Sequence, residues 1–456
     1  DMWLKRNLDN QLLNDLINCN NKAALKNLDI INDYNKEIRW SELENPPKDG
    51  DNFLIDYKVK IILDVPTPKL NILTIIGKLE IDNSKTNLSI NAKIISVEKE
   101  GKIQIGTREE PYTSEFNINL LGDKNSENFV YEKSARLYNK NGIGYFQIYE
   151  KNFIDGVEVK NTVTYTNNLI LNFGDIKMFG GYRKKKINTR LLKTCLPGDD
   201  IIFVEPNLDF SYGNEIILTT TSFESQESEK LVIYKYEEST GILHLKSKVK
   251  YEHFGFPEPT IYEFNPVFNG NQNDERAEVI MVSKNIKIHG SENWGATFVN
   301  GAHTTFDIPF SGSTELVNVE FNNFGQLENE YPSFRVEDKN LESTKVELIN
   351  VIFKSNNFSG IEIKNSKKVN LGGIIIYKPV FSGISVVDST EIGIAIATVV
   401  GLRKYKNNPE FQNSNINGPQ INRINACFNL QTIDNLQMIF VLKCAGSEDY
   451  GFIIPP

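Results

Sequence analysis

Basic residues are not in excess in this 456-residue chain, which carries 50 Lys and Arg against 59 Asp and Glu and has a formal net charge of −9 at pH 7. Nucleic-acid binding needs a concentrated basic surface that displaces counterions, so this balance argues against nucleic-acid partners. The one dense basic run, at positions 183–186, is interpreted as a solvated loop. Long apolar runs are also lacking. None approaches the roughly 18 residues of a membrane span, so no direct membrane insertion of this chain is predicted.

Cysteine and histidine are scarce, with four of each. The cysteines are Cys19, Cys195, Cys427 and Cys444. They match no zinc-ligand spacing and are too few for a disulfide framework; disulfides and buried free thiols both stay open. The histidines are His244, His253, His289 and His303. Each stands alone without metal-ligand spacing, so the sequence predicts packed or surface histidines, no metal and no cofactor.

What the chain does contain is repetition. The stretches GIEIKNSKKVNLGGIIIY (360–377) and GISVVDSTEIGIAIATVV (383–400) align without a gap at an offset of 23 residues. Each is too short to bury its own β-branched side chains, but stacked copies bury them between neighbours, as in a solenoid. We therefore expect Ile363 to stack near Val386.

Other positions extend the repeat. Ile374 is expected near Ala397, and Asp388 is expected two units before Asp434, at twice the 23-residue offset. The residues between those two units, 400–420, form an outward loop in this interpretation, and Asn, Ser and Asp occupy the corners where the backbone turns. The pattern predicts a right-handed parallel β-helix over residues 178–456.

The N-terminal half divides into two further parts. Leucines recur at helical spacing between residues 3 and 30, which predicts an amphipathic helix within an N-terminal segment 1–36. From Trp40 the pattern changes to short strands of period two, separated by Gly and Pro-Pro, which is typical of an all-β module and assigned here to residues 37–177. The predicted fold class is thus all-β, with a helix at its N-terminal end.

A set of motifs in this all-β region occurs in a specific order and spacing. The motifs are Trp40, Pro46-Pro47, Gly50-Asp51, Pro66, Pro68, Gly77, Gly101, Gly106, Pro111-Tyr112 and Gly122, followed by the segments 178–192, 213–229, 274–290 and 321–334. They resemble the eight-glycine domain and following β-helix of the fibrocystin and cell-surface hyaluronidase superfamily. This resemblance implies an extracellular or cell-surface glycoprotein. The sequons at Asn87 and Asn357 agree with it, and both are expected on exposed turns or strand edges as glycosylation sites.

Three departures place the chain closer to the fibrocystin-like, non-enzymatic branch. The hyaluronidase-like members carry a globular insert, for which residues 194–213 leave no room. Those members have a histidine where this chain has Phe179, and family members commonly carry two histidines where it has Ser333 and Arg335. Neither Ser nor Arg binds metal or exchanges protons near neutral pH.

The remaining candidates for chemistry are carboxylates in segments that match the family. Glu229 and Glu278 could act as an acid and a base in glycoside cleavage, with Arg276 orienting a polymer. The structural alternative, in which Arg276 joins the two carboxylates at a junction, is favoured, and no catalytic residue is assigned.

Three functions follow as hypotheses. The first is a non-enzymatic structural or adhesion module of a cell-surface or secreted glycoprotein, such as a filament or appendage protein, with other extracellular proteins or copies of itself as partners. The second is a hyaluronidase-like polysaccharide-degrading enzyme. The third is a glycan-binding β-helix without catalysis. The sequence favours the first.

Overall fold

A computed structural model describes residues 36–132, 134–138, 145–149, 151–154, 157–160, 162–181, 188–222, 224–256, 275–292, 294–302, 313–338, 345–403, 426–447 and 450–453. The predicted N-terminal helix, Cys19 and His303 lie outside these ranges. No helix within them has the length and hydropathy of a membrane span.

Strands dominate the described chain, with short 3-10 helices at Trp40–Glu42 and Ser225–Glu227. The strands are β1 (Lys36–Arg39), β2 (Asn52–Ile55), β3 (Val59–Leu63), β4 (Lys69–Ile75), β5 (Lys78–Ile81), β6 (Leu88–Val97), β7 (Lys102–Ile105), β8 (Phe116–Leu120), β9 (Phe129–Glu132), β10 (Ser134–Tyr138), β11 (Tyr145–Tyr149), β12 (Lys151–Ile154), β13 (Val157–Lys160), β14 (Thr162–Tyr165), β15 (Leu169–Asn172), β16 (Asp175–Phe179), β17 (Asn188–Arg190), β18 (Ile201–Phe203), β19 (Glu215–Leu218), β20 (Glu229–Glu237), β21 (Ile242–Leu245), β22 (Glu278–Met281), β23 (Ile286–His289), β24 (Thr297–Ala302), β25 (Ser313–Val317), β26 (Val319–Phe324), β27 (Phe334–Asp338), β28 (Lys345–Ile349), β29 (Ile352–Asn356), β30 (Ile361–Lys364), β31 (Lys367–Gly372), β32 (Ile374–Tyr377), β33 (Ser382–Leu402), β34 (Ala426–Ser447) and β35 (Tyr450–Ile453).

The chain winds into coils with three faces, and each face is a ladder of parallel strands. Face 1 stacks β1, β3, β5, β7, β16, β25, β28 and β31; face 2 stacks β2, β4, β6, β15, β24, β27 and β30; face 3 stacks β8, β23, β26, β29 and β32. The long strands β33 and β34 bend around all three faces. This confirms the predicted parallel β-helix and all-β class.

Aromatic and aliphatic side chains fill the interior in vertical stacks. Phe298 lies on Phe334 with ring centroids 4.7 Å apart, and Phe321 lies on Phe353 at the same separation. All four side chains are fully buried. Because each strand alternates inward and outward residues, each coil adds one layer to a continuous core that no single coil could form.

The predicted repeat is confirmed at its core. Ile363 pairs with Val386, and Ile374 pairs with Ala397, both at the 23-residue offset. The extension at twice this offset was wrong, because Asp434 pairs with Thr390, 44 residues earlier, and therefore belongs to the very next coil. Residues 404–425, between β33 and β34, lie outside the described residues, and the spacing of 44–45 residues is that of one coil and not of two.

Asparagine and aspartate stand at the coil corners, as predicted. Asn318 and Asn350 occupy neighbouring coils with φ of 57° and 53°, and Asn365 and Asp388 do the same with φ of 46° and 48°. These two residue types visit the left-handed region more readily than others because their short polar side chains bond locally. The corner thus turns the chain sharply enough to start the next face.

Parallel coils are present from Lys36, the first described residue, well before residue 178. Strand β1 pairs with β3 in parallel, and the division between residues 177 and 178 falls inside β16, which joins β7 on one side to β25 on the other. The eight-glycine region is therefore the first part of the same solenoid. Short strands of period two looked like a separate all-β module because alternation does not distinguish parallel from antiparallel pairing.

Glycines in this region fill a corner where the neighbouring coil approaches closely. A Cβ atom on Gly101 would lie 2.0 Å from the carbonyl oxygen of Ile75, and one on Gly174 would lie 2.2 Å from that of Gly101. Only glycine fits such a backbone approach. A column of glycines is thus needed for these coils to stack.

Replacing Gly101 with alanine is expected to destabilise the protein by about 1–3 kcal/mol, because the methyl group overlaps the Ile75 carbonyl and forces the coils apart. Gly181→Ala is the control, since a Cβ there meets its nearest atom at 3.6 Å. Urea denaturation measures both. Equal urea midpoints for the two variants would contradict the conclusion that Gly101 is needed for the close approach of adjacent coils.

An antiparallel sheet interrupts the solenoid between residues 188 and 282. Its strand order is β17-β22-β19-β20-β21-β18. It has its own core, which includes Ile216, Leu231, Leu243 and Val279. The expectation that the chain has no room for an insert was wrong, because only residues 194–213 were considered, whereas the unit closes with β22, some 65 residues farther on. The absence of an insert therefore no longer supports the non-enzymatic branch.

The inserted unit packs on face 3 through apolar and charged contacts. The apolar ones join Ile217, Ile280 and Val282 to Ile352, Ile375, Tyr377 and Val400 of the β-helix. Beside them the fully buried ammonium of Lys354 lies 2.9 Å from the Glu320 carboxylate and also bonds to Glu215 of the insert. A buried charge needs such partners, so this pairing fixes how the insert sits.

Candidate functional site

Glu229, the first carboxylate singled out in the sequence, is a buried anchor. It opens β20 with 7% of its surface exposed. Its carboxylate accepts the backbone N–H of Lys250 at 2.9 and 3.0 Å, the N–H of Tyr251 at 3.1 Å, and contacts His253 Nε2 at 3.1 Å. With these partners the side chain holds residues 250–253 against the sheet and does not face a substrate.

His253 is the partner that the sequence did not link to Glu229. It is fully buried, with Nδ1 2.9 Å from the Thr219 carbonyl oxygen and its backbone paired with that of Cys195. Burial raises the pKa of the Cys195 thiol to about 12, so this cysteine is an inert core residue. The packed interpretation of His253 and the free-thiol interpretation of Cys195 match this arrangement.

Glu278 lies on the opposite face of the same sheet. Leu218 stands directly opposite both Glu229 and Val279, which puts Glu278, one residue away from Val279, on the other side. Glu278 meets Arg190 at 3.0 Å and Lys443 of the last coil at 2.7 Å. Two carboxylates separated by a sheet cannot act on one glycosidic bond, so the acid and base pairing considered in the sequence is not formed.

Arg276 contributes to packing at the start of β22. Its guanidinium lies 4.5 Å from the ring centroid of Phe256 and bonds the Leu191 carbonyl at 3.4 Å. The detail that one arginine joins Glu229 and Glu278 was wrong, because the sheet separates them.

Ser333 and Arg335 mark the place where the resemblance led us to look for histidines. The hydroxyl of Ser333 is buried and donates to Asn356 Oδ1 at 2.7 Å. Arg335 points outward from face 2, with its guanidinium over the Tyr331 ring at 4.9 Å and near the Glu362 carboxylate at 3.4 Å. Phe179, the third departure, is buried against the coil and lies under Arg108.

These outward side chains form the outer cluster, defined as Tyr165, Tyr331, Arg335, Glu337 and Glu362. Burial, and next the neighbouring Tyr331, raise the pKa of Tyr165, and burial raises that of Tyr331. Both phenols therefore stay protonated near neutral pH. Tyr165 and Glu362 are almost fully buried, so the partly exposed members of the cluster are Tyr331, Arg335 and Glu337.

The two carboxylates of the outer cluster belong to adjacent strands of face 2. Arg335 pairs with Glu362 and Glu337 with Lys364, so the glutamates stand diagonally on one surface. Glu362 is nearly fully buried and also lies 3.7 Å from Lys364 Nζ. This diagonal pair was not found in the sequence, because residues 337 and 362 meet only through the coil.

The other histidines fit the packed or surface interpretation. His289 lies between Asn117 and Asn322, and burial lowers its pKa. His244 contacts Glu237 at 3.4 Å. Within the described part of the chain, no three His, Cys, Asp or Glu residues are grouped to hold a metal ion.

The two sequons differ in accessibility. Asn87 lies in an exposed turn with φ of 57°. Asn357 is half-buried, its Nδ2 would lie 3.1 Å from a Cβ on Gly295, and the following Phe358 and Ser359 are fully buried. Asn87 thus lies on an exposed turn, one of the two expected settings, an exposed turn or a strand edge. Asn357 directly follows β29 and is only partly accessible.

Comparisons with known proteins agree with the motifs. A family model described as the G8 domain matches residues 39–191. Human fibrocystin-L is 24% identical over 296 residues, 61% of this chain, and a Dictyostelium discoideum protein is 27% identical over 59%. The chain spans 6% of fibrocystin-L and 22% of the Dictyostelium protein.

One solved structure is also similar, the Gp54 tailspike of Acinetobacter baumannii bacteriophage AP22 in complex with capsular saccharide. It covers 86% of this chain and 67% of its own at 7% identity, with a TM-score of 0.17. That score is too low to support any argument about this chain.

Proposed function

We propose that this chain, in which residues 39–191 match the G8 domain and which is similar to fibrocystin-L, is a fibrocystin-like, non-enzymatic structural or adhesion module of an extracellular or cell-surface glycoprotein. Its partners in this proposal are other extracellular proteins or further copies of itself. The chain spans only 6% of the length of fibrocystin-L. What is proposed here therefore concerns this module, and any role in a longer protein is a proposal as well.

The observation that carries the proposal is the chemistry at residues 331–335. Ser333 is bonded inside the coil, and Arg335 is paired with Glu362. General acid–base catalysis near neutral pH requires a group whose pKa lies near the working pH, and neither side chain meets this requirement. These side chains are therefore suited to binding a partner and to holding adjacent coils together.

The cystine between Cys427 and Cys444 supports the extracellular part of the proposal. Disulfides persist in oxidising compartments and are rare in the cytosol. The exposed turn at Asn87 offers one accessible glycosylation sequon on the same route.

Polysaccharide cleavage is the second candidate, and the diagonal pair Glu337 and Glu362 is the observation that favours it. Two carboxyl groups can cleave a glycosidic bond when they flank it at about 5–10 Å. Against this, the Glu362 carboxylate is almost fully buried and is paired with Arg335 and Lys364, so it is not presented to a substrate.

We expect purified protein to leave hyaluronan and related glycans intact, as measured by size-exclusion chromatography and reducing-end release after prolonged incubation. The matched variants are Glu337→Gln and Glu362→Gln at the outer cluster, with Glu42→Gln as an exposed control on the first coil. Depolymerisation by the wild type that either cluster variant abolishes, and the control retains, would replace the structural proposal with the enzymatic one.

A further inference from the structure

The inserted antiparallel unit exposes two tyrosines that its fold does not need. Tyr212 and Tyr234 are 68% and 60% exposed, with ring centroids 6.2 Å apart in an edge-to-face arrangement. Lys246 places its ammonium 4.3 Å from the Tyr212 ring centroid. We call Tyr212, Tyr234 and Lys246 the aromatic platform.

Local backbone geometry builds this platform. Tyr234 is the extra residue of a bulge in β20, since Ile233 pairs with Leu245 and Lys235 with His244. A bulge re-aims a side chain that regular alternation would direct elsewhere. Tyr212 precedes Gly213, whose φ of +82° turns the chain and whose N–H bonds the Ile233 carbonyl at 2.9 Å. The two rings are thus held together by the backbone.

A basic segment continues from the platform. Lys248 and Lys250 are exposed and flank the buried Val249. Within the described residues, neither of these lysines nor Lys246 takes part in a salt bridge, whereas most other lysines of the sheet have carboxylate partners. The Glu229 carboxylate holds the Lys250 backbone in place.

We infer that the aromatic platform and its lysines bind an anionic polysaccharide. Exposed tyrosines supply rigid, amphipathic area at which the apolar C–H face of a sugar ring can pack, while the phenol hydroxyls remain free for hydrogen bonds. The unpaired ammonium groups favour a ligand with negative charge, such as a uronate or a sulfated sugar. This site is on the inserted unit and does not depend on whether the outer cluster is catalytic.

Binding of the full chain to immobilised hyaluronan, heparin and neutral dextran tests the inference. We expect binding to an anionic glycan but not to dextran, with affinity that falls as NaCl rises because salt screens exposed charges. Hyaluronan carries carboxylates alone, so binding to heparin only would identify sulfate as the recognised group. Wild-type protein that binds neither anionic glycan overturns the inference.

Variants assign any binding to this surface. Tyr212→Ala combined with Tyr234→Ala is expected to weaken affinity about tenfold or more, from two lost stacking contacts. Lys246→Glu is expected to do the same, and Lys246→Arg to retain binding. Leu54→Ala and Lys48→Glu are matched exposed controls on the first coils, expected to bind like the wild type.

Two further outcomes would contradict the inference. If the platform variants bind the glycan with wild-type affinity, the glycan binds elsewhere on the protein. Concentration-dependent self-association in sedimentation that the double tyrosine variant abolishes, without any glycan binding, identifies a second copy of the chain as the occupant. Circular dichroism and thermal midpoints verify that each exposed substitution leaves the fold unchanged.

Discussion

Replacing Val386 with aspartate is expected to destabilise the β-helix by about 4 kcal/mol or more, because the substitution buries a charge without a partner. Val386 points into the coil between Ile363 of one neighbouring coil and Leu430 of the other, and it is fully buried. Coils stabilise one another only through their neighbours, so loss of one layer separates the coils on either side. Thermal and urea denaturation followed by circular dichroism measure the effect.

Val387 provides a matched control one residue away. It is half-buried, points outward and stands directly opposite Lys364. Val387→Asp is therefore expected to change stability by less than about 1 kcal/mol, since the new carboxylate meets water and an ammonium. Similar losses in the two variants would contradict the inward and outward assignment of this strand.

Removing the disulfide between Cys427 and Cys444 is expected to cost about 3 kcal/mol, the loop-closure contribution of a bridge over some 15–20 residues. The two cysteines are 17 positions apart on β34, with Cα atoms 5.9 Å apart, so the bond joins two faces of the last long coil. Without it, that coil is held by β33 on one side and by the short β35 on the other. The double variant Cys427→Ala/Cys444→Ala should therefore unfold at lower urea concentration than oxidised wild type.

A reducing agent provides the control for this prediction. It should lower the stability of the wild type to that of the double variant and leave the double variant unchanged. Peptide mapping under non-reducing conditions should recover Cys427 linked to Cys444. Free thiols at both positions, or equal stability of reduced and oxidised wild type, would contradict the prediction that this disulfide bond stabilises the last long coil.

The repeat shows how far local sequence predicts this fold. Ile and Val at residues 360–400 predicted the spacing of adjacent coils, because each coil buries the same inward positions against its neighbours. Asn365 and Asp388 predicted the corners from their tolerance of left-handed backbone. The spacing failed beyond Leu402, because β33 and β34 pair directly as adjacent coils although their paired residues are 44–45 positions apart.

The inserted sheet shows what local sequence does not predict. Its strands alternate as those of the solenoid do, and pairing partners such as β17 and β22 are separated by some 90 residues. The sequence of one strand does not indicate whether that strand pairs within the solenoid or within the insert, or whether the pairing is parallel or antiparallel. The insert was therefore missed, and with it the burial of Glu229 against His253 and the separation of Glu278 onto the other face.

The sequence by itself determined that residues 360–400 form stacked coils and that residues 39–191 resemble the G8 domain, because coil period, corner residues and close-packed glycines are local requirements repeated along the chain. Only the tertiary structure decided which side chains meet. It separated Glu229 from Glu278, brought Arg335 to Glu362, joined Cys427 to Cys444 and exposed Tyr212 beside Tyr234. The physical reason is that side-chain encounters across coils and sheets depend on winding, pairing and bulges, which no short stretch of sequence encodes.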